Sequence, residues 1–190
     1  MSSNYTVIFD ANVMYPAPLR SFLMYLALSG EFRARWTDEI HDEWIHNLLI
    51  NRPDIGKDAL ERVRTLMNTN VPGSLVTGYE QLVDSIELPD KDDRHVVAAA
   101  IRTRAEAIVT FNLKDFPADS LSQYDITAIH PDEFISDLAD INMGAVIEAA
   151  RNNRAGLRNP PMTASNYLEM LQRQRLPKTV SLMRAFELAI

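Results

Sequence analysis

Four acidic side chains that are far apart in the chain could together bind a divalent metal ion: Asp10, Glu43, Asp93 and Asp115. Carboxylates that meet without a basic partner repel one another strongly unless a cation lies among them. Hydroxyl and amide oxygens occur close to them in sequence, on Asn12, Thr110 and Asn112. Oxygen ligands of this kind favour Mg²⁺ or Mn²⁺ over zinc. Such ions support phosphoryl chemistry, in which an activated water attacks in line.

Residues 90–116 indicate how two of these acids could meet. The stretch opens with three carboxylates, where the first turn of a helix favours negative charge. Small apolar residues follow at 96–101, and the short β-branched run at 107–110 is typical of a buried parallel strand. Asn112 and Asp115 come just after that strand. Because open α/β folds handle ligands at the carboxyl ends of their strands, we expect Asp93 and Asp115 to converge.

The first strand should bring Asp10 to the same edge. Residues 5–10 are apolar up to Asp10, which favours a central strand, and residues 33–36 and 126–129 predict further strands. A carboxylate that ends a buried strand is costly unless a partner or an ion meets it. Taken alone, however, Asp10 could equally belong to a turn or a helix cap.

Glu43 lies on a predicted crossover helix that begins after the cap residue Thr37. Ile40, Trp44 and Leu48 share one face of this helix, which is the pattern of core packing. Glu43 borders that face, so it is either a solvated rim residue or an acid that points into a cleft. By itself the residue favours the solvated interpretation.

The strand–helix alternation ends after a helix that starts at Pro131. Residues 142–152, 165–174 and 178–190 then predict three helices, and we divide the chain into an α/β domain (1–137) and a basic helical extension (138–190). Residues 1–140 carry a net charge of −11 and residues 141–190 carry +4. An acidic body that binds nucleic acid needs metal ions or such a basic end to neutralise its field. The alternative is that the two parts complement each other.

Three arginines of the extension are candidates for binding nucleic-acid phosphates because they line one side of a helix end: Arg151, Arg154 and Arg158. The composition otherwise indicates an ordinary globular chain of 190 residues without cysteine, which excludes disulfides and thiolate metal sites. No apolar run approaches a membrane span, and the first residues lack the basic region of a signal peptide. We therefore expect a cytoplasmic protein without a membrane partner.

Together these motifs resemble those of PIN-domain ribonucleases. The resemblance rests on Phe-Asp10-Ala-Asn12, on Glu43 after the second strand, on Asp93-Arg-His-Val-Val-Ala-Ala-Ala, and on Thr110-Phe-Asn112-Leu-Lys-Asp115-Phe. It spans about residues 5–135 and is strongest to the VapC-type toxins of bacterial toxin–antitoxin pairs. The basic helical extension departs from a minimal PIN domain and resembles longer members of the family.

The resemblance implies a three-layer α/β/α fold with a mostly parallel sheet and C-terminal helices. It also implies a Mg²⁺- or Mn²⁺-dependent endoribonuclease that a cognate antitoxin neutralises, and a homodimer. Carried over by position, Asp10 and Asp93 hold the metal directly, and Glu43 binds it or orients the water. Asp115 completes the acidic set, while Asn12, Thr110 and Asn112 support it. Asp90 and Asp92 are weaker candidates because they serve equally well as solvated caps.

Three rival interpretations fit parts of the pattern. A haloacid dehalogenase-type phosphatase needs an Asp two residues after Asp10, where this chain has Asn12. A dinuclear His/carboxylate site would use His46 and His95, but the inward-facing helical bundle of such sites is missing from the pattern. The third rival is a PIN-like fold retained as a catalytically silent protein- or RNA-binding module. All four acids are present, which favours the enzyme.

Overall fold

A parallel four-stranded sheet forms the centre of the computed structural model, which describes residues 5–190. Its strands are β1 (Thr6–Phe9), β2 (Arg33–Arg35), β3 (Ala107–Val109) and β4 (Thr127–Ile129), in the order β2-β1-β3-β4. Ile8 of β1 pairs with Arg35 on one side and with Ile108 on the other. Because all three strand pairs are parallel, the four carboxyl ends lie at one edge, which is called the active edge below.

Helices cover the sheet, so the predicted three-layer α/β fold with C-terminal helices is confirmed. The α-helices of the described residues are α1 (Ala11–Met14), α2 (Ala17–Ala27), α3 (Asp38–Asn51), α4 (Lys57–Asn70), α5 (Arg94–Thr103), α6 (Ala118–Leu121), α7 (Pro131–Gly156), α8 (Ala164–Arg173) and α9 (Pro177–Arg184). Short 3₁₀ turns occupy Glu80–Ser85, Leu113–Asp115, Ser122–Tyr124 and Glu187–Ala189. None of these helices is long and apolar enough to cross a membrane.

The core explains why the central elements lie where the pattern predicts. All four residues of β1 are buried, as expected for a strand with neighbours on both sides. Helix α5 buries every residue from Val96 to Ala100, because its small side chains allow the helix to lie close to the sheet. Ile40 and Trp44 of α3 are fully buried, and Thr37 caps that helix by accepting a hydrogen bond from the Ile40 N–H at 3.0 Å.

One predicted boundary near the site is wrong. Helix α5 begins only at Arg94, so residues 90–93 form a turn before the helix and do not lie in its first turn. Helix α2 begins at Ala17, since Pro18 is tolerated in the first turn of a helix. Leu75 forms an isolated parallel bridge with Trp36, next to β2.

The C-terminal helices pack against the other helices of the fold instead of extending away from them. Helix α7 runs for 26 residues with a kink at Asn142, whose side chain accepts a hydrogen bond from Ala145 N–H and so caps the second half. The kink coincides with the predicted start of a helix at residue 142. Helices α8 and α9 then pack against α2 and α7. The division after residue 137 lies within the first half of α7 and stays a prediction.

Candidate metal centre

Asp10 is a buried carboxylate at the active edge. It directly follows β1 and caps α1, and only 3% of it is exposed. Its Oδ1 accepts a hydrogen bond from the Ala11 N–H at 2.6 Å, and its Oδ2 accepts one from the Thr110 hydroxyl at 2.7 Å. Burial raises the pKa of Asp10 to about 6, with the Thr110 hydrogen bond opposing this and the charge of Glu43 adding to it. The cap and the strand-end acid are therefore the same residue.

Asn12 and Thr110 join the ends of β1 and β3 around that carboxylate. The Asn12 amide nitrogen donates to Asp10 Oδ2 at 2.5 Å and lies 2.8 Å from Thr110 Oγ1. The Asn12 oxygen accepts from the Phe111 N–H at 3.0 Å, across 99 positions of sequence. Asn112 donates its N–H to Thr110 Oγ1 at 2.9 Å and its side-chain amide to Asp115. The predicted supporting residues thus form one continuous network between Asp10 and Asp115.

Three carboxylates gather at the start of α5. Asp90, Asp93 and Asp115 each place an oxygen so that all three lie within 4.8 Å of one another. Burial, followed by the charges of Asp10 and Asp90, raises the pKa of Asp93 to about 7. Oxygen donors at this spacing suit a divalent cation, which would remove their mutual repulsion. The donor set therefore fits Mg²⁺ or Mn²⁺.

Glu43 points into the same cleft rather than into solvent alone. It lines a cleft of about 380 Å³ with Asp10, Asn12 and Asp93, and Tyr15 also borders this space. Across from it, the buried His95 places Nε2 2.6 Å from Glu43 Oε1. Burial opposes the charged form of His95, but contact with Glu43 outweighs it and raises the pKa of His95. This ion pair holds Glu43 at the rim of the cleft.

The structure thus brings all four predicted acids to one edge, although the ligand roles of individual residues stay predictions. Asp90, a weaker candidate by sequence because it could serve as a solvated cap, lies beside Asp93 and Asp115, and its role as a ligand also stays a prediction. In the turn before α5, the Asp90 carboxylate accepts from the Asp92 N–H at 2.9 Å and approaches Asp93. Asp92 lies outside that cluster, in an adjoining groove that Lys91, His46 and Glu43 also line.

The three arginines proposed for RNA differ in their surroundings. Arg151 and Arg158 are exposed, and neither has an ion pair within residues 5–190. Arg154 is half-buried and donates to the backbone oxygens of Ile190 at 2.8 Å and Met162 at 2.7 Å. These contacts favour a structural role for Arg154, while RNA binding by the other two stays a prediction.

Comparison with known proteins finds two families along the chain. Residues 6–114 match the model of the PIN domain, and residues 131–185 match that of the VapC50 C-terminal domain. Over 111 residues the chain is 40% identical to the Mycobacterium tuberculosis (strain ATCC 25618 / H37Rv) protein named "Putative ribonuclease VapC50". That match covers 56% of this chain and 65% of the relative, which is less than two thirds of its length. No solved structure matches the chain.

Proposed function

The chain belongs to the PIN-domain family, and we propose that it is a metal-dependent endoribonuclease, the toxin of a toxin–antitoxin pair. One observation carries the proposal, which is that four acids from separate segments converge at the active edge: Asp10, Glu43, Asp93 and Asp115. The name of the M. tuberculosis relative supports the same activity. A carboxylate cluster of this kind suits hydrolysis of a phosphodiester, because phosphate approaches it only when a cation offsets the negative charge.

The metal ligands in this proposal are Asp10, Asp93 and Asp115, with Asp90 close enough to contribute. Bound there, Mg²⁺ or Mn²⁺ would lower the pKa of a water and shield the phosphate charge. Asp10 is already oriented by Ala11 N–H and the Thr110 hydroxyl, so little rearrangement is needed for ion binding. Asn112 orients Asp115 in the same way through its side-chain amide.

Glu43 takes the proton-handling role in this proposal. Its oxygen faces a cleft that Asp10 and Asp93 also line, so a water in that space is within its reach. His95 fixes the side chain from behind at 2.6 Å and keeps its charge partly neutralised. Glu43 would therefore orient the attacking water and accept its proton as the phosphodiester bond to the leaving oxygen breaks.

The partners follow from the same proposal. The substrate is RNA, and the regulator is a cognate antitoxin protein that would occupy or cover the cleft. A homodimer and a cytoplasmic location, where RNA and antitoxin occur, belong to the proposal as well. The match of residues 131–185 to the VapC50 C-terminal domain supports a distinct C-terminal unit, although the boundary after residue 137 remains our own assignment.

Cleavage of a structured RNA pool tests the proposal. The purified protein should give discrete fragments with Mg²⁺ or Mn²⁺, none with EDTA, and none after Asp10→Asn. Induced expression should also arrest bacterial growth, and Asp10→Asn should relieve the arrest. RNA that stays intact with either metal, together with unaffected growth, would contradict the proposal and favour the catalytically silent binding module.

A further inference from the structure

A basic and aromatic cluster borders the acidic cleft on the side of β3 and β4. Phe111 lies between Thr110 and Asn112, and its N–H donates to the Asn12 side chain at 3.0 Å. Its half-buried ring contacts the His130 ring, with centroids 5.2 Å apart, and the Arg175 guanidinium carbon lies 4.6 Å from the ring centroid. The backbone that carries this ring is therefore part of the network that holds Asp10.

Arg175 reaches this position because the C-terminal helices are anchored at the active edge. Asp132, buried in the first turn of α7, accepts hydrogen bonds from the Lys178 N–H at 2.9 Å and the Thr179 N–H at 2.8 Å. This fixes the start of α9, and the turn before it closes through Arg175 N–H to Gln172 O at 3.0 Å. The turn places Arg175 next to Phe111, 64 positions away in sequence.

The backbone of Arg175 is unusual for its residue type. Its φ of 65° lies in the left-handed region, where side chains other than glycine are uncommon and cost about 1 kcal/mol or more. Arg104, at the C-cap of α5, has the same left-handed conformation, so this is a common way to end a helix. At the end of α8 it leaves the Arg175 side chain exposed and stacked on the ring.

The Arg175 guanidinium is free to bind an anion. Within residues 5–190 it has no carboxylate partner, whereas Arg64 pairs with Asp38 and Asp42. Stacking uses the face of the guanidinium plane and leaves its N–H edge available. Two N–H groups on that edge can bind two oxygens of one phosphate. Because the contact with the ring already restricts the arginine side chain, binding a phosphate would cost less conformational entropy.

The negative charge of the cleft favours a nearby cation that can bind RNA phosphates. Residues 1–140 carry −11, and the carboxylates of the cleft repel every phosphate that is not shielded by a metal ion. An RNA strand with one phosphate at the acids must therefore have neighbouring phosphates held by cations of the protein. Through Phe111, Arg175 lies beside the network that joins Asp10 and Asp115.

We propose that Arg175, stacked on Phe111 by the C-terminal helices, binds an RNA phosphate that neighbours the one being cut. The proposal rests on the proposed function. It makes the C-terminal extension part of the substrate site, because the phosphate-binding residue comes from the turn between α8 and α9 and not from residues 1–137.

The salt dependence of RNA binding tests this assignment. Labelled single-stranded RNA is titrated against the Asp10→Asn protein, which cannot cleave, and against the same protein with Arg175→Ala. Loss of one phosphate contact should reduce the slope of log K against log salt by about 0.7 for a single strand. Affinity at low salt should fall about tenfold, as for one charge-assisted contact. The matched control is Arg173→Ala, an arginine two positions away that is 77% exposed.

Two further variants separate phosphate binding from folding. Arg175→Gly removes the guanidinium but also the left-handed strain, so it should retain the unfolding stability and still lose the salt slope. Arg175→Lys keeps the charge without the planar fork and should recover part of the affinity. In the cleavage-competent protein, Arg175→Ala should raise KM about tenfold and change kcat little.

The outcomes distinguish this inference from the proposed function. An unchanged slope in Arg175→Ala and Arg175→Gly, with metal-dependent cleavage intact, would overturn the role of Arg175 alone. An equal loss of slope in Arg173→Ala would also overturn it, because the effect would then be one of net charge. If the unsubstituted protein neither cleaves nor binds RNA, the proposed function fails and this inference fails with it.

Discussion

Removing the charge of Asp10 should make the metal-free protein more stable, although it should also abolish cleavage. Burial raises the pKa of Asp10 from its usual 3.8 to about 6, so the folded protein is penalised whenever this carboxylate is ionised. At about 1.4 kcal/mol for each pH unit, the penalty at neutral pH is roughly 3 kcal/mol. Asp10→Asn removes that penalty because the amide is neutral.

Lost hydrogen bonds reduce the gain. Oδ2 of Asp10 accepts from Asn12 and Thr110, and an amide nitrogen in its place cannot accept from Asn12. Because the Thr110 hydroxyl already accepts from Asn12 and Asn112, the amide should place its oxygen there instead and turn its nitrogen towards the Ala11 N–H. About one contact is then lost, at a cost of about 1–2 kcal/mol. We therefore expect a net stabilisation of about 1–2 kcal/mol.

Urea unfolding at neutral pH with EDTA measures this difference. Asp84→Asn is the matched control, since Asp84 is exposed and should show almost no change. With Mn²⁺ the unsubstituted protein should become more stable than Asp10→Asn. An ion at a hundred times its Kd stabilises the unsubstituted protein by about 2.7 kcal/mol and the variant by less. A variant that is less stable than the unsubstituted protein in EDTA would refute the reasoning about burial and repulsion.

Three further predictions concern the acids and the C-terminal helices. In EDTA, Asp93→Asn should have a higher free energy of unfolding than the unsubstituted protein. This difference should grow as pH rises from about 4 to about 7, because the pKa of Asp93 is raised to about 7. A difference independent of pH in urea titrations would contradict this. Arg154→Met should lower unfolding stability by about 1–3 kcal/mol through two lost hydrogen bonds and leave the salt slope of RNA binding unchanged, and a reduced slope would restore its RNA role. Asp132→Ala should speed amide exchange at Lys178 and Thr179, whereas unaltered exchange would show that α9 is anchored by other contacts.

The sheet and the convergence of acids could be predicted from sequence because both follow local rules. The apolar runs at β1 and β3 indicate buried parallel strands, and parallel strands bring their carboxyl ends to one edge. Asp10 and Asp115 each follow such a strand, and Asp93 precedes the helix that leads into β3. Their meeting therefore needed only the order of the elements.

Other parts of the site depend on contacts that no local pattern encodes. Asp90 joins the cluster because α5 starts four residues later than the acidic run suggests. The position of His95 in the sequence does not show whether it is buried or exposed. Its contact with Glu43, which lies on another helix, is what gives it a role at the site. The contact between Phe111 and Arg175 depends on how α8 and α9 pack against α2 and α7, which composition and spacing do not determine.

The most direct test titrates Mn²⁺ into the unsubstituted protein, Asp93→Asn and Asp92→Asn, with RNA cleavage and thermal stability followed in the same samples. Asp92 is the matched neighbour, since it lies outside the cluster of Asp90, Asp93 and Asp115 and lines the adjoining groove with Lys91 and Glu43. The unsubstituted protein and Asp92→Asn should gain cleavage and stability over the same range of ion concentration, while Asp93→Asn should gain neither. Full metal-dependent cleavage by Asp93→Asn would contradict the assignment of this cluster as the metal centre of a ribonuclease.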